Sequence, residues 1–227
     1  MTDTNPNTTP AAQTHAYILL DRTGSMGSIW AEALGSVNAY VEALTKPADG
    51  AKPSENDQVT LAVFDHHGGL QFDVLRRGVK AAEWKKVTDA EASPRGMTPL
   101  FDSIARIVAL AEADQPGRAV IVVMTDGHEN ASKEVNKDGA KAALDRARAK
   151  GWEVVFLGAE FGQFMDAEAV GVAGSKSMAM ASGSFDASMR KLAAKSRHYF
   201  EDAAAMEFNE EDRKEAGEND VIRRKGK

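Results

Sequence analysis

Three runs of the chain, AYILLD (16–21), RAVIVVMTD (118–126) and WEVVFLG (152–158), are apolar without alternation. A strand with one wet face alternates polar and apolar side chains, so an unbroken apolar run of this length belongs to a strand buried on both faces. Such a strand needs helices on both sides of its sheet, and the intervening sequence offers them. In IWAEALGSVNAYVEAL, residues Ile29, Ala33, Val37, Tyr40, Val41 and Leu44 recur at helical spacing. PLFDSIARIVALAEA (99–113) repeats the pattern, with Pro99 near the first turn where a missing N–H does no harm. KDGAKAALDRARAKG (137–151) is an Ala-rich helix closed by Gly151, Phe161 to about Val170 a short one, and FDASMRKLAAKSRHYFEDA (185–203) a helix with Phe185, Met189, Leu192 and Phe200 inward.

The other strands are less emphatic. QVTLAVFD (58–65) and LQFDVLRRGV (70–79), joined by HHGG, predict an antiparallel hairpin whose second member lies at a sheet edge. SKSMAMA (175–181) alternates weakly and is the candidate last strand. Strands and helices in this order predict an α/β fold: a mainly parallel central sheet with one antiparallel edge strand and helices on both faces.

With 227 residues, 43% of them hydrophobic, the chain can bury one substantial core, and one domain over residues 15–205 is expected. Residues 1–14, rich in Thr, Asn, Pro and Ala, read as a flexible arm, and the mixed-charge segment 206–227 as a disordered tail. A net charge of −6, with basic residues interspersed among acids, excludes a nucleic-acid-binding surface as the main interface. The absence of cysteine removes disulfides, thiolate metal sites and thiol catalysis. No apolar run of about 18 residues and no signal-like start are present, so no membrane span and a cytoplasmic location are expected. Nothing in the sequence sets an oligomeric state.

In open parallel sheets ligands sit at the carboxyl ends of the strands. That rule gathers three segments, D21-R-T-G-S25, G96-M-T98-P and T125-D126-G, and with them the carboxylates of Asp21 and Asp126 and the hydroxyls of Thr23, Ser25 and Thr98. Alternate residues of an extended loop point the same way, so Asp21, Thr23 and Ser25 can face one ion. Hard divalent cations select such an all-oxygen set. With only two charges among five groups, a bound dication would keep enough field to attract an external carboxylate.

LLDRTGSMGS resembles the first metal motif of von Willebrand factor A domains, D-x-S-x-S, GMTPL the loop that supplies that family's metal-binding threonine, and VVMTDGHENAS the strand and loop that supply its final aspartate. The order and separation also match, and the similarity covers about residues 15–205. The resemblance implies a three-layer Rossmann-like fold and a metal-ion-dependent adhesion site in which Asp21, Thr23, Ser25, Thr98 and Asp126 hold Mg²⁺ or Mn²⁺, in preference to Ca²⁺. It implies a non-enzymatic module that binds an Asp or Glu of a partner protein, similar to stand-alone bacterial or phage members. Thr23 departs from the motif's more frequent Ser, keeping the hydroxyl and adding a methyl.

Other readings attach to the same residues. Ser25 or Ser28 could cap the first helix, and Thr98 the helix at Pro99. Arg22, His128 and Glu129 are candidate rim residues, although an exposed Arg22 would serve as well in water and Glu129 as a helix-start charge. His66 and His67, adjacent on a strand, point apart and make a poor joint metal site. Trp30, Trp84 and Trp152, with Met178, Met180 and Met189, are expected in or beside the core. An Asp after the first strand also superficially resembles a haloacid-dehalogenase-like, Mg²⁺-dependent phosphohydrolase, but that chemistry needs a second Asp where this chain has Thr23. A third possibility is an assembly subunit of an ATPase or phage complex.

Overall fold

A computed structural model describes residues 13–46, 52–158 and 163–225. Its centre is a six-stranded sheet built from β1 (Thr14–Asp21), β2 (Gln58–His66), β3 (Leu70–Lys80), β4 (Arg118–Thr125), β5 (Glu153–Gly158) and β6 (Ser177–Ala179). The strand order is β3-β2-β1-β4-β5-β6, all neighbours being parallel except β2 and β3. The expected hairpin therefore forms, with β3 at the edge. The missing alternation in β1 has a direct explanation. Ala16, Ile18 and Leu20 pack into one core, while Tyr17 and Leu19 pack into another on the opposite face. β4 repeats this, with Val120, Val122 and Met124 on the first face and Ala119, Ile121 and Val123 on the second.

The first face is covered by α1 (Trp30–Thr45) and α5 (Phe185–Asp202), the second by α2 (Leu100–Asp114) and α3 (Lys137–Ala149). Between α1 and α5 the Tyr40 hydroxyl donates to Ser196 Oγ at 2.9 Å inside the core, satisfying a polar group that would otherwise be costly to bury. The carboxylate of Glu32 on α1 accepts from the Gly183 and Phe185 amides at the start of α5, where helix N–H groups have no internal partner. The short helix α4 is described over Gln163–Ala169; the expected start at Phe161 lies outside the described residues, as do residues 1–12 of the expected arm. Thr14, assigned to the arm, instead begins β1 and pairs with Arg118. The aromatic and methionine expectations hold: Trp30, Trp152, Met178, Met180 and Met189 are buried and Trp84 packs against the first core. No helix among the described residues is long and apolar enough to cross a membrane.

The segment after residue 205 corrects the expected disordered tail. It folds into α6 (Glu210–Glu215) and α7 (Glu218–Lys225). Met206, Phe208, Ala216 and Val221 are buried. Several of its charges are paired: Lys195 and Lys191 of α5 reach Asp212, Lys191 also reaches Glu215, and Arg213 meets Glu218. The Glu218 carboxylate accepts from the Ala179 amide at 3.0 Å and the Ala216 carbonyl from the Ala181 amide at 2.8 Å. The tail thus occupies the outer side of β6, an edge that would otherwise offer bare backbone donors. Asn209 and Asp212 form a reciprocal cap at the start of α6. Asn209→Ala is expected to cost about 1 kcal/mol of unfolding free energy in urea titrations, whereas a disordered tail would leave stability unchanged.

Candidate metal centre

β1 and β4 are central neighbours. The chain leaves β1 toward β2 on one side and β4 toward β5 on the other. Strand order reverses there, so the loops after Asp21 and Thr125 diverge and leave a crevice at the sheet's carboxyl edge.

Asp21 closes β1 with no exposed surface. Its Oδ1 accepts from the Thr23 amide at 2.7 Å, a side-chain turn that bends the chain out of the strand. Residues Gly24–Ser28 then form a turn of 3₁₀-helix, pinned by the buried side chain of Met26. The Gly24 amide donates to the Gly96 carbonyl at 3.2 Å, which brings the Thr98 loop alongside. Gly96 has φ near 69°, and a Cβ there would lie 2.4 Å from the His66 carbonyl oxygen, so the approach admits only glycine.

Thr98 is held by Asn130, whose Oδ1 accepts from the Thr98 amide at 2.8 Å and whose own amide donates to the Thr98 carbonyl at 3.0 Å. Its side chain makes no cap: Pro99 is the N-cap of α2, and the Thr98 hydroxyl points to Thr23, 3.4 Å away. Gly127 backs the same spot, where a Cβ would stand 2.7 Å from Thr98 Oγ1 and 3.6 Å from Asp21 Oδ2. From Thr23 Oγ1 the series continues to Ser25 Oγ at 3.2 Å, and the Ser25 hydroxyl donates to Asp126 Oδ1 at 2.7 Å. Neither Thr23 nor Ile29, the residues that begin the 3₁₀ turn and α1, uses a side-chain cap, so the serines of this loop do not cap α1. All five sequence-derived oxygen donors therefore meet in one connected patch.

The donor set suits a hard cation. Asp21 is buried, and its carboxylate takes hydrogen bonds from Thr23 and from the Thr125 hydroxyl, at 2.6 Å, with no ion pair to a Lys or Arg among the described residues; the neighbouring Arg22 turns to Asp65 and Asp73 instead. Burial pushes this carboxyl up to about 7; hydrogen bonds from Thr125 and Thr23 pull the other way, and the negative charge of Asp126 adds to the rise. A dication would supply positive charge to that carboxylate and, through the Ser25–Asp126 contact, lie beside a second one. Two carboxylates and three hydroxyls are a Mg²⁺- or Mn²⁺-type set, with no soft ligand among them.

The three rim candidates separate. Arg22, expected to be solvated or at the rim, is buried at 4% exposure, its Nε donating to Asp65 and its Nη2 to Asp73, each at 2.5 Å. Its carbonyl accepts from the Arg95 amide at 2.8 Å, and Arg95 Nε also reaches Asp65 at 3.3 Å. Arg22 therefore faces inward and ties the 21–25 loop to the loop that carries Thr98. The Glu129 carboxylate is taken up by the amides of Phe101, Ala131 and Ser132 and the Ser132 hydroxyl, so it moors its own loop to α2. Of the three, only His128 stays at the rim, 59% exposed, with Nδ1 3.2 Å from Asp166. Sequence reading missed Thr125 and Asn130, although both lie inside the quoted motif VVMTDGHENAS; hydroxyl and amide side chains next to a ligand position are the signal.

The sequence model of the von Willebrand factor type A domain matches residues 16–212. The chain belongs to this family. Solved structures agree on the fold. Pilus adhesin SpaC from Lactobacillus rhamnosus GG superposes with a TM-score of 0.64 at 15% identity, over 84% of this chain and 31% of SpaC. The manganese-loaded Plasmodium vivax TRAP protein gives 0.56 at 15% identity, over 78% of this chain and 72% of TRAP. The von Willebrand factor domain of the type V pili tip protein Mfa5 from Porphyromonas gingivalis gives 0.60 at 10% identity, over 81% of this chain and 95% of that domain. This chain thus spans under a third of SpaC. No curated protein matches it in sequence.

Proposed function

We propose that this A domain is a protein-interaction module in which Asp21, Thr23, Ser25, Thr98 and Asp126 hold Mg²⁺ or Mn²⁺, and that the ion takes an Asp or Glu carboxylate of a partner in an open position. The observation that carries the reading is the continuous oxygen patch Thr98–Thr23–Ser25–Asp126 beside a buried Asp21 carboxylate that, among the described residues, makes no ion pair. The manganese in the TRAP structure supports a divalent ion at this kind of domain. When bound, the ion supplies a Lewis-acidic point for a carboxylate oxygen. This chain's residues do the rest: Asn130 fixes Thr98, Thr125 orients Asp21, and Gly127 keeps the floor open.

Position 23 holds a hydroxyl where phosphohydrolase chemistry needs an acid, which disfavours the enzymatic alternative. An assembly role in a larger complex is compatible with the same carboxylate-binding chemistry. SpaC and Mfa5 are pilus proteins, so the fold is compatible with surface display as well as with the cytoplasm expected from composition.

Two measurements test the reading. Isothermal titration should show one Mg²⁺ or Mn²⁺ site, and Asp126→Ala should weaken it by more than roughly tenfold, since altering even an outer partner of a metal ligand costs that much. A pull-down with the intact chain should retain partner in Mg²⁺ and release it in EDTA. Mg²⁺ binding unchanged in Asp126→Ala would remove the site from consideration.

A further inference from the structure

The last residues of β2 are joined to both loops that carry the threonine donors. The Arg22 amide donates to the Phe64 carbonyl at 3.1 Å, which seats the 21–25 loop on β2. His66 and Met97 exchange amide and carbonyl at 2.9 and 3.2 Å, which seats the Thr98 loop there as well. The two loops also meet each other, the Arg95 amide donating to the Arg22 carbonyl at 2.8 Å and the Gly24 amide to the Gly96 carbonyl at 3.2 Å. Asp65 stands between Phe64 and His66 in this ring of backbone bonds, with no exposed surface. Both arginines come to it. Arg22 Nε and Arg95 Nε donate to the same oxygen, Oδ2, while Oδ1 has no hydrogen-bond partner among the described residues.

One buried oxygen thus collects a guanidinium from each loop, beside Thr23 on one and close before Thr98 on the other. The Thr23 and Thr98 hydroxyl oxygens are 3.4 Å apart, and those of Thr23 and Ser25 3.2 Å. Neighbouring ligands at about 2.1 Å from an octahedral ion stand about 3 Å from each other, so the separation of the loops is the quantity that such an ion reads. Thr98 has its own hold in Asn130 and stays with the Asp126 loop, whereas Thr23 depends on the 21–25 loop being drawn against it. We propose that Asp65 is a positioning residue of the cation site: by bringing Arg22 and Arg95 to one carboxylate oxygen it holds the Thr23 and Thr98 hydroxyls at the separation a single small cation spans. This rests on the cation reading above and adds a residue that touches no ion yet sets its affinity. The two influences of Arg95 on the ion have opposite sign. As a charge it repels a dication, so its removal would tighten binding. As a second hold on Asp65 it keeps the site assembled, so its removal weakens binding.

Isothermal titration of Mg²⁺ into the whole chain decides between them. Asp65→Asn is expected to weaken binding about tenfold, the usual consequence of altering an outer partner of a metal site, and Arg95→Ala about threefold. Arg95→Ala keeps the amide that bonds Arg22 and leaves Arg22 on the Asp65 carboxylate, and the lost side chain is 43% exposed. Its urea midpoint in EDTA should therefore match that of the unaltered chain. Because Arg95 acts through Asp65, the double variant should lose no more affinity than Asp65→Asn alone. Asn209→Ala, which removes the cap of α6, should lower the urea midpoint and leave Mg²⁺ affinity unchanged. Binding that is tightened or unchanged in Arg95→Ala would overturn the proposal, as would losses that multiply in the double variant. So would a loss of affinity in Asn209→Ala equal to that in Asp65→Asn, since the effect would then follow stability and not the clasp. An unaltered chain that takes up no Mg²⁺ would instead refute the cation reading, and its titration, run first, separates the two failures.

Discussion

Replacing Arg22 with methionine is expected to lower the unfolding free energy by about 3–5 kcal/mol, because removing one partner strands a buried charge. Asp65 has no exposed surface, and one of its oxygens already lacks a hydrogen bond. Without Arg22 the remaining cation is Arg95, whose side chain is 43% exposed and 3.3 Å away. The companion change Asp65→Asn removes the stranded charge, so the double variant should recover much of the loss. Urea denaturation of both variants measures this; a single variant within about 1 kcal/mol of the unaltered protein would show that the pair is not coupled in this way. The same substitution reaches the metal loops, since Arg22 joins residues 21–25 to the backbone of Arg95, three positions before Thr98.

This pair also shows where sequence reading stops. The burial of β1 and β4 on both faces was legible because it is a property of each strand alone: an apolar run of this kind has no other economical fate. The five oxygen donors were legible because each stands at the end of such a strand or start of a helix, and the carboxyl-edge rule does the rest. Arg22 was not legible, because its role depends on Asp65 and Asp73, 43 and 51 residues further on, and on their facing the same side of the sheet edge as Arg22. An arginine in a loop is ordinarily solvated; only tertiary pairing makes it an interior residue.

Residues 206–225 were misread for a related reason. Composition averages over the segment, and its charge count is high. What decides order is the placement of a few apolar residues and the partners available to the charges. Phe208 and Val221 find the first core and the side of β6, and Asp212 finds two lysines of α5. Neither fact is contained in the segment itself. Glu129 illustrates the same limit at smaller scale: its position beside the site suggested a rim residue, but three backbone amides take its oxygens first.

Asp21→Asn is expected to have opposite effects with and without metal. In the metal-free protein burial raises the Asp21 carboxyl from an ordinary 3.8 to about 7. The folded state then holds this proton more tightly than the unfolded state, so the group costs nothing below pH 3.8 and progressively destabilises the fold as pH rises through about 7. Asparagine cannot ionise. It gives up one acceptor oxygen near Thr125 or Thr23 but escapes the cost of a buried charge, so in EDTA at pH 8 the variant should exceed the unaltered protein by on the order of 2 kcal/mol. Magnesium reverses the ranking. At a hundredfold excess over its dissociation constant a ligand stabilises the state that binds it by about 2.7 kcal/mol, and the variant, lacking one of two carboxylates, should gain almost none of this. Paired urea titrations in EDTA and in Mg²⁺ give the answer: the two curves must exchange order. If Asp21→Asn stays ahead in both conditions, or responds to Mg²⁺ as the unaltered chain does, the buried carboxylate does not hold the ion.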